Sequence, residues 1–233
     1  MSLIASRLQA GLGAGPAAAP AFYAAAGVRR LLTREEGATG AASVLVPLFL
    51  EDGTGRCHVW LTQRAAGLSS HAGEVALPGG KAEGDETVAA TALREAEEEV
   101  GLAAGNGSPL VIATLPPLLS KHRLKVTPVV AQIRGPFTPK LNPAEVDAAF
   151  HLPLSRFLEA EGHTHKDIVM RGAGGGEVPY RMHAFEHRDE ASGVDFHIWG
   201  MTSAILLEVA KAIFARAPDF DEHPPPGFPA GKM

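Results

Sequence analysis

Cysteine is almost absent from this chain of 233 residues, where Cys57 stands alone. An intramolecular disulfide framework is therefore excluded, and the usage suits a reducing compartment. Long apolar runs are missing too. The longest candidate, Ala41 to Leu50, contains Pro47 and falls well short of the roughly 18 apolar residues that span a bilayer, so no membrane partner is expected. Basic charge is not in excess: 21 Lys and Arg stand against 26 Asp and Glu, a net of −5. Bulk positive charge thus cannot drive nucleic-acid binding, although a local basic patch would be compatible with this balance. The first 34 residues lack any acid and carry Arg7, Arg29, Arg30 and Arg34. That bias is shared with organelle transit peptides, which sets a mitochondrial or plastid address beside a cytoplasmic one. The plainer reading is a flexible, alanine-rich segment over 1–40 with a short helix at Ser6 to Leu12. The run Gly11-Leu12-Gly13-Ala14-Gly15-Pro16 has no strand before it and a proline where a third glycine belongs, so it is no dinucleotide fingerprint.

Apolar residues make up 45% and charged residues 20%, enough for one domain with its own core. That domain is expected over 41–217, with a disordered proline-rich tail over 218–233. Ala41 to Leu50 and Arg56 to Thr62 flank Asp52-Gly53-Thr54-Gly55, a hairpin signal. Thr87 to Val100 reads as a helix with Ala89, Leu93, Ala96 and Val100 on one face, stopped by Gly101. Strands are expected at Leu110 to Leu115, Val126 to Ile133, Val146 to Leu152, Ile168 to Met170, Val178 to Phe185 and Val194 to Trp199. A short helix is expected at Ser155 to Glu161 and a longer one at Thr202 to Ala215, with Gly172 to Gly176 as a turn. Strands with helices between them indicate a mixed α/β fold.

The chemistry concentrates between Gly80 and Leu102. Glu95, Glu98 and Glu99 share one helix face through i, i+3 and i+4 spacing. Three carboxylates so held repel one another unless a cation sits among them, and a hard divalent ion with oxygen ligands is the natural one. Glu86 is placed to pair with Arg94. Gly79 and Gly80 let backbone approach a metal or phosphate closely. A solvated acidic helix face is the bland alternative. Seven fixed positions, however, coincide by chance at about 10⁻⁸ per start site, given residue usage of roughly 6–7% each.

This stretch resembles the Nudix box, with Ala96 where a larger aliphatic residue is usual. The resemblance implies the Nudix fold, a mixed β-sheet sandwiched between α-helices. It also implies hydrolysis of a nucleoside diphosphate linked to another group, with Mg2+ or Mn2+ as cofactor. Carried over, Glu95, Glu98 and Glu99 would be metal ligands, with Glu95 and Glu98 contributing to catalysis. Glu86, Arg94 and Gly101 would be structural. Several Nudix enzymes add a glutamate outside the box, for which Glu145 is the candidate; an ordinary loop glutamate is the alternative. Upstream, Trp60-Leu61-Thr62-Gln63-Arg64-Ala65, Gly73 and Leu77-Pro78-Gly79-Gly80 resemble the signature of the coenzyme A diphosphatases, plant-type branch. Ser69 and Leu77 depart from it, standing where arginine and phenylalanine are usual. Val126-Thr127-Pro128-Val129 and Trp199-Gly200-Met201-Thr202 resemble the same subfamily. The implied partner is a small nucleotide, coenzyme A or an acyl thioester, held by Arg64, Gly79, Gly80 and Lys81. Lys121, Arg123 and Lys125 are further cations available for its 3′-phosphate. Oxidised nucleoside triphosphates, ADP-ribose and nicotinamide dinucleotides are the alternative substrates. A non-catalytic nucleotide-binding module is the alternative class, although such modules usually lose box carboxylates that this chain retains.

His183 and His187 have helical metal spacing but lie in strand-like surroundings, which argues against zinc. His71 is placed either to touch a phosphate or to cap its glycine-rich loop. Cys57 lacks a catalytic signature.

Overall fold

One strand is buried on both faces, which explains the apolar run that contains it. In the computed structural model, which describes residues 2–12, 39–120, 123–171 and 177–228, β1 (Gly40–Leu50) lies inside an eight-stranded mixed sheet. Leu45 packs into one apolar cluster while Val46 and Leu48 join another on the opposite side, as strand alternation requires. Antiparallel β2 (Cys57–Arg64) follows through the expected hairpin. β3 (Val75–Ala76) and β4 (Gly79–Lys81) emerge from the glycine-rich stretch and pair with β2 and β1. The remaining strands of this sheet are β5 (Leu110–Thr114), β6 (Leu118–Leu119), β7 (Leu124–Gln132) and β8 (Val146–Pro153). β7 runs parallel to β1 and makes the sheet mixed; β8 pairs with β2.

Helices cover both faces. α1 (Leu3–Leu12) and α3 (Gly200–Phe214) belong to one side, and α2 (Val88–Val100) to the other. The second region is a three-stranded antiparallel sheet of β9 (His163–Arg171), β10 (Glu177–Arg188) and β11 (Asp195–Trp199). The short helix expected at Ser155 to Glu161 is a 3-10 turn at Leu154–Leu158, which places Leu154, Phe157 and Leu158 in the core.

The short helix expected at Ser6 to Leu12 is present and starts three residues earlier, at Leu3, so that α1 buries Ile4 and Leu8 in the core cluster that α3 shares. One expectation about the ends needs correction. The tail beyond 218 is not disordered at its start. Phe220 stacks on His163 at 3.6 Å between ring centroids. The Arg181 guanidinium donates to the Asp221 carbonyl at 3.1 Å, and Lys211 pairs with Glu222 at 2.5 Å. Phe220→Ala should therefore destabilise the fold by about 1–3 kcal/mol, lowering Tm by roughly 3–8 °C. Calorimetry that finds an unchanged Tm would reject this docking. The rest of the transit-type composition, including Arg29, Arg30 and Arg34, the Gly172 to Gly176 turn and the last five residues lie outside the described residues.

Candidate active site

Helix α2 is set by its ends and its apolar face. The Thr87 hydroxyl accepts from the Ala90 N–H at 3.2 Å, capping the first turn. Gly101 takes a left-handed conformation (φ 69°), and its N–H reaches the Ala96 and Glu97 carbonyls. Ala92, Ala96 and Val100 pack against Leu45, Val129 and Ala131. Small side chains at 92 and 96 bring the helix close to the sheet, and this seating turns Glu95 and Glu99 toward β4.

Glu99 is buried, its side chain only 5% exposed. One carboxylate oxygen accepts from the Gly79 N–H at 3.3 Å, and the other lies 3.8 Å from the Arg64 guanidinium. Glu95 lies against Gly80, where an added Cβ would fall 2.4 Å from its Oε1. Arg94 gathers the loop. It bonds Glu86 through Nε at 2.8 Å, meets Glu95 at 3.1 Å and Glu98 at 2.9 Å, and donates to the Lys81 carbonyl at 3.0 Å. Glu86 is held down at about 2 by that guanidinium, helped by the Glu83 N–H. Glu98 is half exposed and turned to Arg94. Glu145 is near enough that its charge raises the pKa of both Glu95 and Glu99.

Glu95 and Glu99 thus come together against β4, with Glu145 near enough for its charge to be felt by both, whereas Glu98 is drawn aside. Among the described residues, no three His, Cys, Asp or Glu side chains are gathered closely enough to hold a metal ion together. The donor atoms of Glu95 and Glu99 are nonetheless all oxygen, and among the described residues Arg64 is the cation paired with the buried Glu99 carboxylate, at a loose distance. These residues fit a hard divalent ion.

Burial pushes the Glu99 carboxyl up to about 8, overcoming Arg64 and the Gly79 N–H, which pull it down. Desolvation also raises Glu95, against Arg94. The unfolded chain ionises Glu99 near the ordinary 4.5. Between that value and about 8 the folded state keeps a proton that the unfolded state has lost, so stability falls as pH rises through this window. Melting temperature in chelator should therefore decline between those limits, and Glu99→Gln should make the decline shallower. Some slope remains in that variant, because burial also lifts Glu208 to about 7. An identical slope in the variant would contradict the assignment.

Other residues fall into place less uniformly. Lys81 follows Gly80 on β4, so its side chain leaves the opposite face from Glu95 and is exposed; its carbonyl is what holds Arg94. Lys125 pairs with Ala41, one row from the Ser43–Gly80 pair and on the α2 face. Arg123 is exposed with φ 61°, and Lys121 lies outside the described residues. His71, at φ 55°, meets Glu74 at 2.8 Å within its loop. His183 bonds His163 at 2.9 Å while His187 stacks on Phe150, so the two do not share a ligand. Burial raises the Cys57 thiol to about 12, far from nucleophilic reactivity. Sequence reasoning missed Asn142, whose N–H donates to the Glu99 carbonyl at 2.9 Å. The turn-forming pair Asn142-Pro143 was the available signal.

The candidate site is thus a loop–helix–loop that packs carboxylates against a glycine pair, on a mixed sheet between helices. A NUDIX domain model matches residues 41–171. The chain belongs to the Nudix hydrolase family, whose members act on pyrophosphate bonds and generally use divalent metals such as Mg2+ or Mn2+. It is 42% identical to the mitochondrial Nudix hydrolase 15 of Arabidopsis thaliana over 79% of this chain and 62% of that one. It is 41% identical to the chloroplastic Nudix hydrolase 22 of the same plant over 79% and 59%. A peroxisomal coenzyme A diphosphatase of Mus musculus is 38% identical over 78% of this chain and 75% of its own length. The chain thus spans about three fifths of the two plant relatives.

Proposed function

We propose that the protein hydrolyses the diphosphate of coenzyme A and its thioesters, giving 3′,5′-ADP and 4′-phosphopantetheine or its acyl derivative. The observation that carries this reading is the 3.8 Å approach of Arg64, from the upstream signature, to Glu99 of the box. The two sequence signatures form one site. Of the two departures from the subfamily pattern, Leu77 keeps a buried apolar position, and Ser69 is exposed in the loop. The named activity of the mouse relative supports the same reading.

Glu95 and Glu99 would hold Mg2+ or Mn2+, which when bound would neutralise the diphosphate and activate water; Glu98, expected as a third ligand, is engaged by Arg94 instead. Arg64 then pairs with a phosphate oxygen, a charge-assisted contact that its loose pairing with Glu99 leaves room for. The Gly79 N–H is a second donor. Glu145, whose charge is felt by Glu95 and Glu99, would take the proton of the attacking water. Glu86, Arg94 and the Lys81 carbonyl keep the loop closed on the helix. Lys125, on the α2 face, is the described cation best set to receive the 3′-phosphate.

Coenzyme A should accordingly show a higher kcat/KM than dephospho-coenzyme A, ADP-ribose, reduced nicotinamide dinucleotide or 8-oxo-dGTP under one metal condition. Loss of the 3′-phosphate should cost one charge-assisted contact, about 1.5–3 kcal/mol. Product identification by mass decides the matter. More efficient turnover of 8-oxo-dGTP or ADP-ribose would remove the substrate assignment and leave the box chemistry in place.

A further inference from the structure

We propose that Asp147 is a positioning residue of this site, acting through Glu145; the role rests on the hydrolase reading above. The β2–β8 ladder is regular from His58↔Pro153 to Gln63↔Ala148, and then Arg64 pairs with Val146. Asp147 is the extra residue of a β-bulge. Without it, alternation would carry Val146 to the far face and set Asp147 opposite Arg64 on the α2 face. With it, Val146 stays in the core cluster under α2, and Glu145 follows at the mouth of the site. Bulges beside active sites commonly re-aim side chains in this way.

The Asp147 side chain fixes the bulge. Its carboxylate accepts from the Ala66 N–H at 2.9 Å, beyond the last ladder pair, while the Ala65 N–H donates to the Glu145 carbonyl at 2.8 Å. On the other side of Glu145, its own N–H donates to the Asn142 carbonyl at 3.0 Å, and Asn142 is tied to the end of α2 through the Glu99 carbonyl. Glu145 is therefore strung between two anchors, one on the metal-facing helix and one on β2. Asp147 itself is exposed, so truncating it opens no cavity.

The experiment combines a double-mutant cycle with amide exchange, using the full chain, saturating Mg2+ and the best substrate of the panel above. Asp147→Ala should lower kcat by about 10- to 100-fold through misplacement of Glu145, with KM changed less than about threefold and Tm nearly preserved. Asp147→Asn retains a carbonyl acceptor for the Ala66 N–H and should recover most of the rate. Added to Glu145→Gln, Asp147→Ala should cost little more, because both changes remove one function. Hydrogen exchange at Ala66, read without substrate, should accelerate in Asp147→Ala. Wild-type kcat in Asp147→Ala, or its full cost repeated in the Glu145→Gln background, overturns the role. A wild-type protein that cleaves no diphosphate overturns the hydrolase reading and this role together, while the exchange measurement still reports whether the clamp exists.

Discussion

Glu95→Gln and Glu99→Gln should each lower kcat at saturating Mg2+ by at least about 100-fold while the fold stays intact. The two glutamates sit one helical turn apart on the face that α2 presents to β4. Glutamine keeps the volume and one carbonyl acceptor of each but removes the charge that a divalent ion requires. The two variants differ in what happens without metal. Glu99 is buried, with Arg64 at a loose 3.8 Å, so its amide should raise the chelator-treated melting temperature by an amount that grows from about pH 4.5 to about pH 8, the range in which the native carboxyl keeps a proton that the unfolded chain has lost. Glu95 is more exposed and already paired with Arg94, so its variant should change stability less. Near-native turnover in both would sink the metal-ligand assignment.

The adjacent glycines should separate catalysis from folding. At Gly80, the three atoms nearest an added Cβ all belong to Glu95, at 2.4 Å for Oε1 and 2.5 Å for both Cδ and Oε2. Those atoms end a flexible side chain, so Gly80→Ala can be accommodated by moving the carboxylate away. Stability should change by less than about 1 kcal/mol, while kcat falls as steeply as in Glu95→Gln. At Gly79, the same atom would lie 2.3 Å from the Ser43 carbonyl oxygen and 2.6 Å from the Val44 Cα. Backbone inside a sheet cannot retreat so cheaply, so Gly79→Ala should cost at least about 2 kcal/mol and lower Tm as well as activity. Parallel thermal melts and single-turnover assays read both quantities. A Gly80→Ala enzyme with full activity would show that Glu95 is not held where the structure places it.

Local patterns carried much of this architecture. The α2 helix and its Gly101 stop are short-range features and appear at their expected positions, with Thr87, read as the first helical residue, serving as the N-cap. Strand β9 was legible only at Ile168 to Met170 yet begins at His163. Its polar start reads as loop until β10 supplies partners: His183 for His163, and Arg181 for Asp167 at 2.7 Å. Burial around most of α3 was similarly hidden. An amphipathic reading gives it one apolar stripe, but Leu206, Leu207, Ala210 and Ala212 are buried as well, because α1 and the 218–223 segment lend it additional cover. At the candidate site, the residue types were legible and their sorting was not. That Lys81 contributes a carbonyl, that Glu98 is turned to Arg94 and that a bulge sets the parity of β8 all depend on pairings between distant segments.

Helix α1 and the segment 220–222 both rest against α3, on the sheet face that α2 does not occupy. These segments share one back layer, while Glu95 and Glu99 lie on the other side of the sheet. A label attached to α1 or to the segment 220–222 would therefore leave from the face opposite those carboxylates.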